Sequence, residues 1–449
     1  MTDDRGHRRQ EAGGSMTASV GTGASRDQSL WRNRDYLLFW GGRTVSALGS
    51  SMSGVAFPLL ILALTGSYAA AGLAGALRAA PYVRLSLPAG ALVDRWDRRR
   101  TMLLCDAGRA VALGSIPVVW WAGHLTVAHL YAATTVEGAL FVFYNTANLS
   151  ALPHLVPRAQ LAEASARDEG AYYVASLLGP AAGGALYAAA RALPFLADAL
   201  SYLLSVAALL LMRADLRHER AETGRPRGLG ADMREGLAWL WHAPLIRSLS
   251  LLDGAETLVG SGLALIVIAL VREQGAGAAT IGTTLAVAGV GGVLGALIAG
   301  RVQRLVGFGG IMVGVRWALA ALWLLYPVAP NALTVGALTA GVYALNPVKN
   351  AAMVGYCLPL IPEGLRGRVT GLWDLLPSAA GVAGAALIGL ALQAVGPRAT
   401  ALTAAAVVLA LALLTTLNRH IREAPPLPDV AAQPDLATDP RAGAPEGRV

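Results

Sequence analysis

Long apolar segments recur along the chain, and short polar stretches separate them. A helix that crosses a bilayer needs about 20 mainly apolar residues, and in lipid its backbone can form hydrogen bonds only with itself. The pattern therefore predicts an all-α membrane protein with twelve transmembrane helices. The predicted spans are residues 36–64, 69–92, 101–122, 126–149, 169–189, 194–212, 246–271, 279–300, 309–328, 332–357, 368–392 and 398–417.

The polar stretches divide the chain into five parts. We expect disordered cytoplasmic tails at residues 1–31 and 419–449, which contain no long apolar run. Six-helix bundles are predicted at residues 32–212 and 246–418. The stretch between them, 213–245, is a charged cytoplasmic linker whose second half is amphipathic, as in a helix that lies at the membrane surface.

Sequence landmarks recur in the two halves. They keep their order at separations of 205 to 211 residues, which indicates a duplicated six-helix unit and two pseudo-symmetric bundles. The pairs are Gly49 and Ser50 with Gly260 and Ser261, Gly90 with Gly300, and Leu155, Val156 and Pro157 with Leu360, Ile361 and Pro362.

Composition and the placement of charge narrow the class of protein. Hydrophobic residues make up 55% of the chain and charged residues 14%, against about 25% charged residues in soluble domains. The net charge of +8 comes from arginines in loops and not from a basic stripe, which excludes nucleic-acid binding. Arginine-rich loops alternate with loops whose only arginines are Arg191, Arg272 and Arg398. By the positive-inside rule, both termini are cytoplasmic and the chain lies in the plasma membrane.

Motifs for nucleotide or metal chemistry are missing from the sequence. It has no P-loop, and its sole lysine is Lys349. Cys105 and Cys357 lie in apolar stretches and the histidines are scattered, so neither a disulfide framework nor a metal site is expected. We therefore expect no cofactor, and the energy is expected to come from a gradient across the membrane or from a partner protein.

The loop between the second and third spans combines a glycine, an aspartate and a run of arginines. This order resembles the loop signature of the major facilitator superfamily of secondary transporters. Asp97 stands where that signature usually has glycine, and a drug-exporter-like branch of the superfamily shares this departure. The alternative explanation is that any arginine-rich cytoplasmic hairpin would have a similar sequence. The candidate gating residues are Gly90, Asp94, Arg95, Arg98, Arg99, Asp106 and Arg109.

The resemblance covers residues 32–418 and implies alternating access around a cavity between the two bundles. It also implies a role for Asp94, which would contact the beginning of the eleventh span and stabilise the outward-open state. A carboxylate is favourable there because the N-terminus of a helix carries partial positive charge. These residues are therefore expected to form a gate and not to contact substrate.

The fifth span contains Gly179, Pro180, Gly183 and Gly184 in the G-P-x-x-G-G order of the superfamily's antiporter motif. Ala175 replaces the glycine that precedes this motif in the family. The resemblance implies export in exchange for protons, with a proton gradient as the source of energy and no cofactor. Close packing of small residues in a bent helix is the alternative explanation.

Ionisable residues inside spans are costly, so each is a candidate for function. Arg78, Glu137 and Asp374 are expected near mid-membrane, where Arg78 pairs with either carboxylate. Such a pair serves either to fix the helix register or to couple transport to protons.

A second charged set lies in the first and seventh spans, at Arg43, Asp253 and Glu256. These spans face each other in the superfamily fold, so the resemblance implies opposite charges across that interface. Asp253 and Glu256 lie three residues apart on one helix face, and repulsion between them favours a proton on one carboxylate. We interpret them as proton-carrier candidates, with a cytoplasmic gate or helix anchoring as alternatives.

Polar side chains of the fourth and tenth spans are further candidates for the cavity wall. We expect Lys349 to extend toward the inner interface in preference to contacting a ligand. The set consists of Asn145, Asn148, Asn346, Lys349 and Asn350.

Together these features predict a monomeric secondary transporter that exports amphipathic small molecules, such as drugs, macrolides or siderophore-like metabolites, in exchange for protons. An importer or a lysophospholipid flippase of the same fold is the alternative within transport. A membrane receptor or an embedded enzyme would be of a different class. The expected partners are lipid, a small-molecule substrate and protons.

Overall fold

The computed structural model describes residues 30–93, 95–214 and 229–424. These residues form α-helices and short 3-10 turns, and no strand occurs among them. The helices are α1 (Arg34–Thr65), α2 (Tyr68–Val93), α3 (Arg98–Trp121), α4 (Val127–Leu155), α5 (Leu161–Ala189), α6 (Leu193–Leu211), α7 (Leu229–His242), α8 (Pro244–Gly260), α9 (Leu263–Glu273), α10 (Ala278–Leu305), α11 (Phe308–Leu325), α12 (Ala332–Cys357), α13 (Arg366–Leu417) and α14 (Arg419–Arg422).

Eight helical segments of the described chain are long and apolar enough to cross a membrane. Large apolar side chains such as Leu104, Val111 and Leu297 are exposed on their surfaces, as expected for helices that face lipid. The segments are Arg34–Thr65, Arg98–Trp121, Val127–Leu155, Leu193–Leu211, Pro244–Glu273, Ala278–Leu305, Phe308–Val328 and Glu363–Leu417.

Several sequence predictions fall outside the described residues. They concern Asp94, residues 1–29 of the N-terminal tail, residues 215–228 of the linker and residues 425–449 of the C-terminal tail. The described end of the linker forms α7, which packs against α8 and α13. Glu235 of α7 accepts a 2.6 Å hydrogen bond from Arg368 at the start of α13. Leu237 and Trp241 are exposed on α7, so this helix presents an apolar face away from the bundle.

Two predicted spans differ from the helices that the structure contains. The span predicted at 246–271 is interrupted between α8 and α9, at Ser261 and Gly262. The spans predicted at 368–392 and 398–417 are continuous in α13, which bends at Gly396. This residue has φ 79° and ψ 173°, a conformation that glycine adopts without the steric cost of a side chain.

Helix packing follows the same scheme in both halves of the chain. In the first half, α1 packs against α5 and α6, α2 against α4, and α3 against α4 and α6. In the second half, α8 packs against α13, α10 against α12, and α11 against α12 and α13. The halves meet where α2 packs against α13 and α5 packs against α10.

The contact of α2 with α13 and the contact of α5 with α10 each include a pair of glycines. Gly72 of α2 meets Gly389 of α13, and Gly184 of α5 meets Gly282 of α10. A Cβ atom added to Gly72 would lie 2.7 Å from the Gly389 Cα, and one added to Gly184 would lie 2.7 Å from the Gly282 Cα. Neither pair has room for a side chain, so glycine is what lets the helices approach this closely. We call these four residues the glycine seal.

The glycine seal repeats between the halves. Gly282 follows Gly72 by 210 residues, and Gly389 follows Gly184 by 205 residues. These separations lie in the range that relates the sequence landmarks.

At the opposite end of the molecule, two described glycines of α2 and α13 have open space around them. This arginine-rich end carries Arg95, Arg100 and Arg366, where α2 ends and α3 and α13 begin. Cβ atoms added to Gly90 of α2 or to Gly371 of α13 would meet no described atom within 4 Å. The described halves are therefore in close contact at the glycine seal, and the contact of α5 with α10 continues to Gly289, where a Cβ would lie 2.4 Å from the Leu177 Cα.

Candidate functional site

A cavity of about 480 Å³ lies between the two halves, next to the glycine seal. Its volume falls within the range of about 300–1,000 Å³ that is typical of small-molecule sites. The wall is mainly apolar and includes the rings of Phe57, Tyr82 and Phe141. Its charged residues are Arg78 and Glu137. Such a wall suits a molecule with an apolar body and a few polar groups.

Arg78 and Glu137 form an ion pair in the cavity wall. The Nε of Arg78 lies 2.8 Å from Oε2 of Glu137. Of the two carboxylates that the sequence offered as partners of Arg78, Glu137 is therefore the one that pairs with it. Asp374 is exposed and forms no ion pair with Arg78 in the described structure. Gly138 of α4 packs directly on the Arg78 backbone, which brings α2 close enough for the pair to form.

Arg109 joins this pair from α3. Its Nη2 donates a 2.8 Å hydrogen bond to Oε1 of Glu137, and its Nη1 lies 3.3 Å from Oδ1 of Asp106. The Tyr202 ring stacks on the guanidinium at 4.1 Å from its centre. Arg109 and Asp106 were predicted to belong to the gating motif near the inner face. The structure places them inside the first half instead, because this face of α3 packs against α4 and α6.

Asp198 of α6 is a buried carboxylate that the sequence reasoning missed. It accepts hydrogen bonds from the hydroxyls of Ser53 and Ser201 and is 0% exposed. Gly49 of α1 leaves room for it, since a Cβ there would lie 2.6 Å from Asp198 Oδ1. The available signal was a carboxylate within the predicted span 194–212, where any charge is costly. Together, Arg78, Asp106, Arg109, Glu137 and Asp198 are named the first cluster.

A second cluster lies in the other half. Lys349 of α12 bridges two carboxylates of α8, with its Nζ 2.6 Å from Asp253 and 2.7 Å from Glu256. Arg316 of α11 lies 3.6 Å from Glu256 and is 1% exposed. Lys349 is buried, so the prediction that it extends toward the interface is wrong. Its ammonium takes this position because two carboxylates compensate the loss of water.

Arg43 is not opposite the α8 carboxylates. It pairs with Asp168 of α5, within its own half, while Lys349 occupies the space between Asp253 and Glu256. The expected pairing of Arg43 with these carboxylates across the interface is therefore absent from the described structure.

The arginine loop fastens helices of the first half to one another. Asp97 caps α3 by accepting a 3.1 Å hydrogen bond from the Arg100 amide. Arg98 is 2.6 Å from the His154 ring at the end of α4. Arg99 donates two 2.9 Å hydrogen bonds to carbonyls at the C-terminus of α6, where a positive charge also meets the negative end of the helix dipole. Arg95 is exposed.

The glycine motif of α5 contacts two different helices. Gly179 packs on Ser51 of α1, and a Cβ on Gly183 would lie 2.8 Å from the Met52 Cα. Gly184 faces Gly282 of α10, and so does the Pro180 carbonyl. The motif therefore brings α5 close to its own half through one face and to the other half through a second face.

The asparagine candidates are dispersed. Asn346 and Lys349 line a smaller cavity of about 230 Å³ beside the second cluster. Asn148 is buried, Asn145 is half-buried and Asn350 is exposed. None of them lines the larger cavity that the structure describes.

Comparisons with known proteins identify a family of membrane transporters. A family model described as transmembrane secretion effector matches residues 29–438. The multidrug efflux pump Tap of Mycobacterium tuberculosis is 28% identical over 404 residues, which cover 87% of this chain and 94% of Tap. The enterobactin exporter EntS of Salmonella typhimurium is 27% identical over 413 residues, which cover 86% of this chain and 94% of EntS.

Solved structures share the fold. A bacterial homologue of the human lysosomal transporter Spinster has a TM-score of 0.68 at 15% identity, and the match covers 89% of this chain and 99% of that one. A bacterial homologue of the iron transporter ferroportin has a TM-score of 0.66 at 16% identity, with 87% and 99% covered.

Proposed function

The chain belongs to the transmembrane secretion effector family of the major facilitator superfamily, and we propose that it exports amphipathic small molecules by alternating access in exchange for protons. Members of this superfamily are multi-pass membrane transporters and not enzymes. Tap and EntS are named as exporters, which supports the direction of transport.

The proposal includes twelve spans in two pseudo-symmetric bundles, at residues 32–212 and 246–418. Twelve spans follow if α8 and α9 cross the membrane as one and the two parts of α13 cross it separately on either side of Gly396. The repeated packing scheme and the glycine seal support the pseudo-symmetry.

We place the glycine seal at the extracellular face and both termini in the cytoplasm. The helices α2 and α10 begin near the seal. The loops at that end of the molecule belong to the alternate set that carries few arginines. The arginine-rich end belongs in the cytoplasm by the positive-inside rule. The cavity then opens inward, and export requires that the seal separate. The protein is proposed to work as a monomer in the plasma membrane.

The cavity between the halves is the observation that carries the proposal. It combines aromatic walls with one ion pair and adjoins the glycine seal, which closes one end. A cargo that enters from the open end therefore meets a barrier that must open on the far side. The absence of a P-loop from the sequence and the charged clusters within the bundles support an ion gradient as the energy source.

The test is cellular accumulation of ethidium, an aromatic amphipathic cation used as a fluorescent probe. Cells that express the protein are expected to accumulate less ethidium than cells with an empty vector, and a protonophore should abolish the difference. Higher accumulation on expression would indicate import and contradict the proposal. Export that survives both the protonophore and buffering of the pH difference would contradict the role of protons. The exposed Glu273→Gln variant serves as the control for expression and surface charge.

A further inference from the structure

The first cluster contains more acids than bases. Its three carboxylates belong to Asp106, Glu137 and Asp198, and its two guanidiniums belong to Arg78 and Arg109. The three carboxylates and Arg109 are at most 2% exposed. An uncompensated charge in a membrane interior is costly, so the cluster is most stable when one carboxylate holds a proton.

The second cluster has no such excess. Lys349 and Arg316 face Asp253 and Glu256, which gives two positive and two negative groups. All four can be ionised without leaving a net charge. The Lys349 ammonium between the carboxylates also removes the repulsion from which the sequence analysis inferred a proton carrier there.

Within the first cluster, the carboxylates differ in their partners. Glu137 receives both guanidiniums, and Asp106 pairs with Arg109. Asp198 forms no ion pair among the described residues, and its carboxyl group is hydrogen-bonded to the hydroxyls of Ser53 and Ser201. A carboxylate without a cationic partner is the one that gains most from being neutral.

The Ser201 hydroxyl compensates little of a negative charge on Asp198. Ser201 has a single hydroxyl hydrogen, which it donates to the Asp198 main-chain carbonyl at 2.7 Å. The same hydrogen is shared with Asp198 Oδ1 at 3.3 Å, so the carboxyl group receives only a weak hydrogen bond from Ser201.

The surroundings of Asp198 connect it to the cavity. The Tyr202 hydroxyl lies 2.8 Å from Ser50 and 3.4 Å from Glu137, and Glu137 lines the cavity. Ser53 bonds to the Ser50 carbonyl at 3.2 Å. The groups that face Asp198 are Ser53 from α1, Arg78 from α2, Arg109 from α3, Glu137 from α4 and Tyr202 from α6, and α5 contributes none of these.

We propose that Asp198 binds the proton that is exchanged for cargo, an assignment that rests on the proposed antiport. On release, the O–H bond of the Asp198 carboxyl group breaks and the proton passes through the neighbouring hydroxyls to water in the cavity. The carboxylate keeps the electron pair, and a cationic cargo beside Glu137 then compensates the charge that the proton carried. Uptake of a proton from the other side restores the neutral carboxyl.

The proton site is tested without any cargo by infrared spectroscopy of purified protein in detergent. Wild type is expected to show the C=O stretching band of a protonated carboxyl at neutral pH. Asp198→Asn should lose this band, Asp198→Glu should shift it, and Asp253→Asn should retain it unchanged. Absence of the band from wild type, its persistence in Asp198→Asn, or an unshifted band in Asp198→Glu would overturn the assignment. Size-exclusion profiles establish that each variant is folded.

The coupling role is tested with ethidium in proteoliposomes. An imposed pH difference should drive ethidium movement by wild type, by Glu273→Gln and, more weakly, by Asp198→Glu. Asp198→Asn should lose the pH-driven component while ethidium still moves down its own gradient. Full pH-driven movement by Asp198→Asn would overturn the proposal. If wild type itself does not move ethidium, the proposed function fails for this cargo, and the infrared experiment still decides where the proton is bound.

Discussion

Two buried arginines occupy equivalent places in the two halves but have different surroundings. Arg316 of α11 follows Arg109 of α3 by 207 residues, within the range of separations that relates the other landmarks. Arg109 has Asp106, Glu137 and the Tyr202 ring as partners. None of the Arg316 guanidinium nitrogens has a hydrogen-bond partner among the described residues. The repeated unit thus supplies the same basic group twice, and the residues around it have diverged.

Glu137 is the residue on which the first cluster depends. Glu137→Gln would leave Arg78 and Arg109 without the carboxylate that compensates both, and an uncompensated buried charge costs about 3–5 kcal/mol. We expect a clear fall in the thermal unfolding midpoint in detergent and loss of ethidium export. Glu163→Gln is the matched control, because it removes an exposed carboxylate paired with Arg167 that contributes about 0.5 kcal/mol. Equal midpoints for the two variants would contradict this account.

Lys349 holds two carboxylates together in the second cluster. In Lys349→Met, Asp253 and Glu256 would face each other without the ammonium, so we expect a loss of stability at neutral pH. Adding Asp253→Asn and Glu256→Gln should restore part of it, because the repelling charges are then gone. Thermal unfolding of the single and triple variants measures this, and a triple variant less stable than Lys349→Met would contradict it.

The sequence predicts where most helices begin and end, because the lipid bilayer requires a similar length of apolar residues in every span. The helix α12 coincides with the predicted residues 332–357, and α1, α2 and α6 end within a few residues of their predicted limits. The start of α5 was placed eight residues too late, since the charged residues there look like loop. They extend the helix instead, and Glu163 and Arg167 pair one turn apart at 2.6 Å.

The charged sites were less predictable than the helices. Counting residues along a helix predicted that Arg78 and Glu137 lie at a similar depth in the membrane. It did not predict which face of α3 points into the first half, so the contact of Arg109 with Glu137 was missed. Lys349 lies near the end of a span, where a lysine commonly extends to the surface, and only the packing of α8 against it shows why it is buried. These contacts join residues far apart in sequence, which helix periodicity does not encode.

The glycine seal gives a prediction for helix contacts. In Gly184→Val, the side chain would meet the backbone of α10, where a Cβ would already lie 2.6 Å from the Ala278 carbonyl oxygen. Backbone cannot yield as a side chain can, so the seal should open. With Ser261→Cys as a reporter in the cavity wall, a membrane-impermeant maleimide added outside the cell is expected to label the Gly184→Val protein and not the parent.

The control for the seal is a glycine with free space around it. A Cβ on Gly314 of α11 would meet nothing within 4 Å in the described structure, so Gly314→Val should leave external labelling of the reporter low. Labelling equal to the parent in Gly184→Val would show that this contact does not close the extracellular side.

Over the whole molecule, charge is distributed unequally between two halves that pack alike. The first cluster has one carboxylate more than it has bases and borders the larger cavity, whereas the second is neutral and borders the smaller one. In the proposed mechanism, the two pairs of glycine contacts open together. In the same mechanism, the unequal charge makes the free-energy cost of that movement depend on the proton and the cargo bound in the first half.

This distribution predicts a preference for the sign of the cargo charge. Arg78 in the cavity wall is compensated by Glu137 at 2.8 Å, so it offers an anion little net attraction. In the proposed cycle, loss of the proton leaves the first cluster with one net negative charge, which attracts a cation and repels an anion through the low-dielectric wall. Ethidium should therefore be exported faster than carboxyfluorescein, an anionic dye of similar size, in the same cells. Asp198→Asn keeps the cluster neutral at all times and should reduce the difference, while Glu273→Gln should not. Faster export of the anion by wild type would contradict a cluster that becomes negative during the cycle.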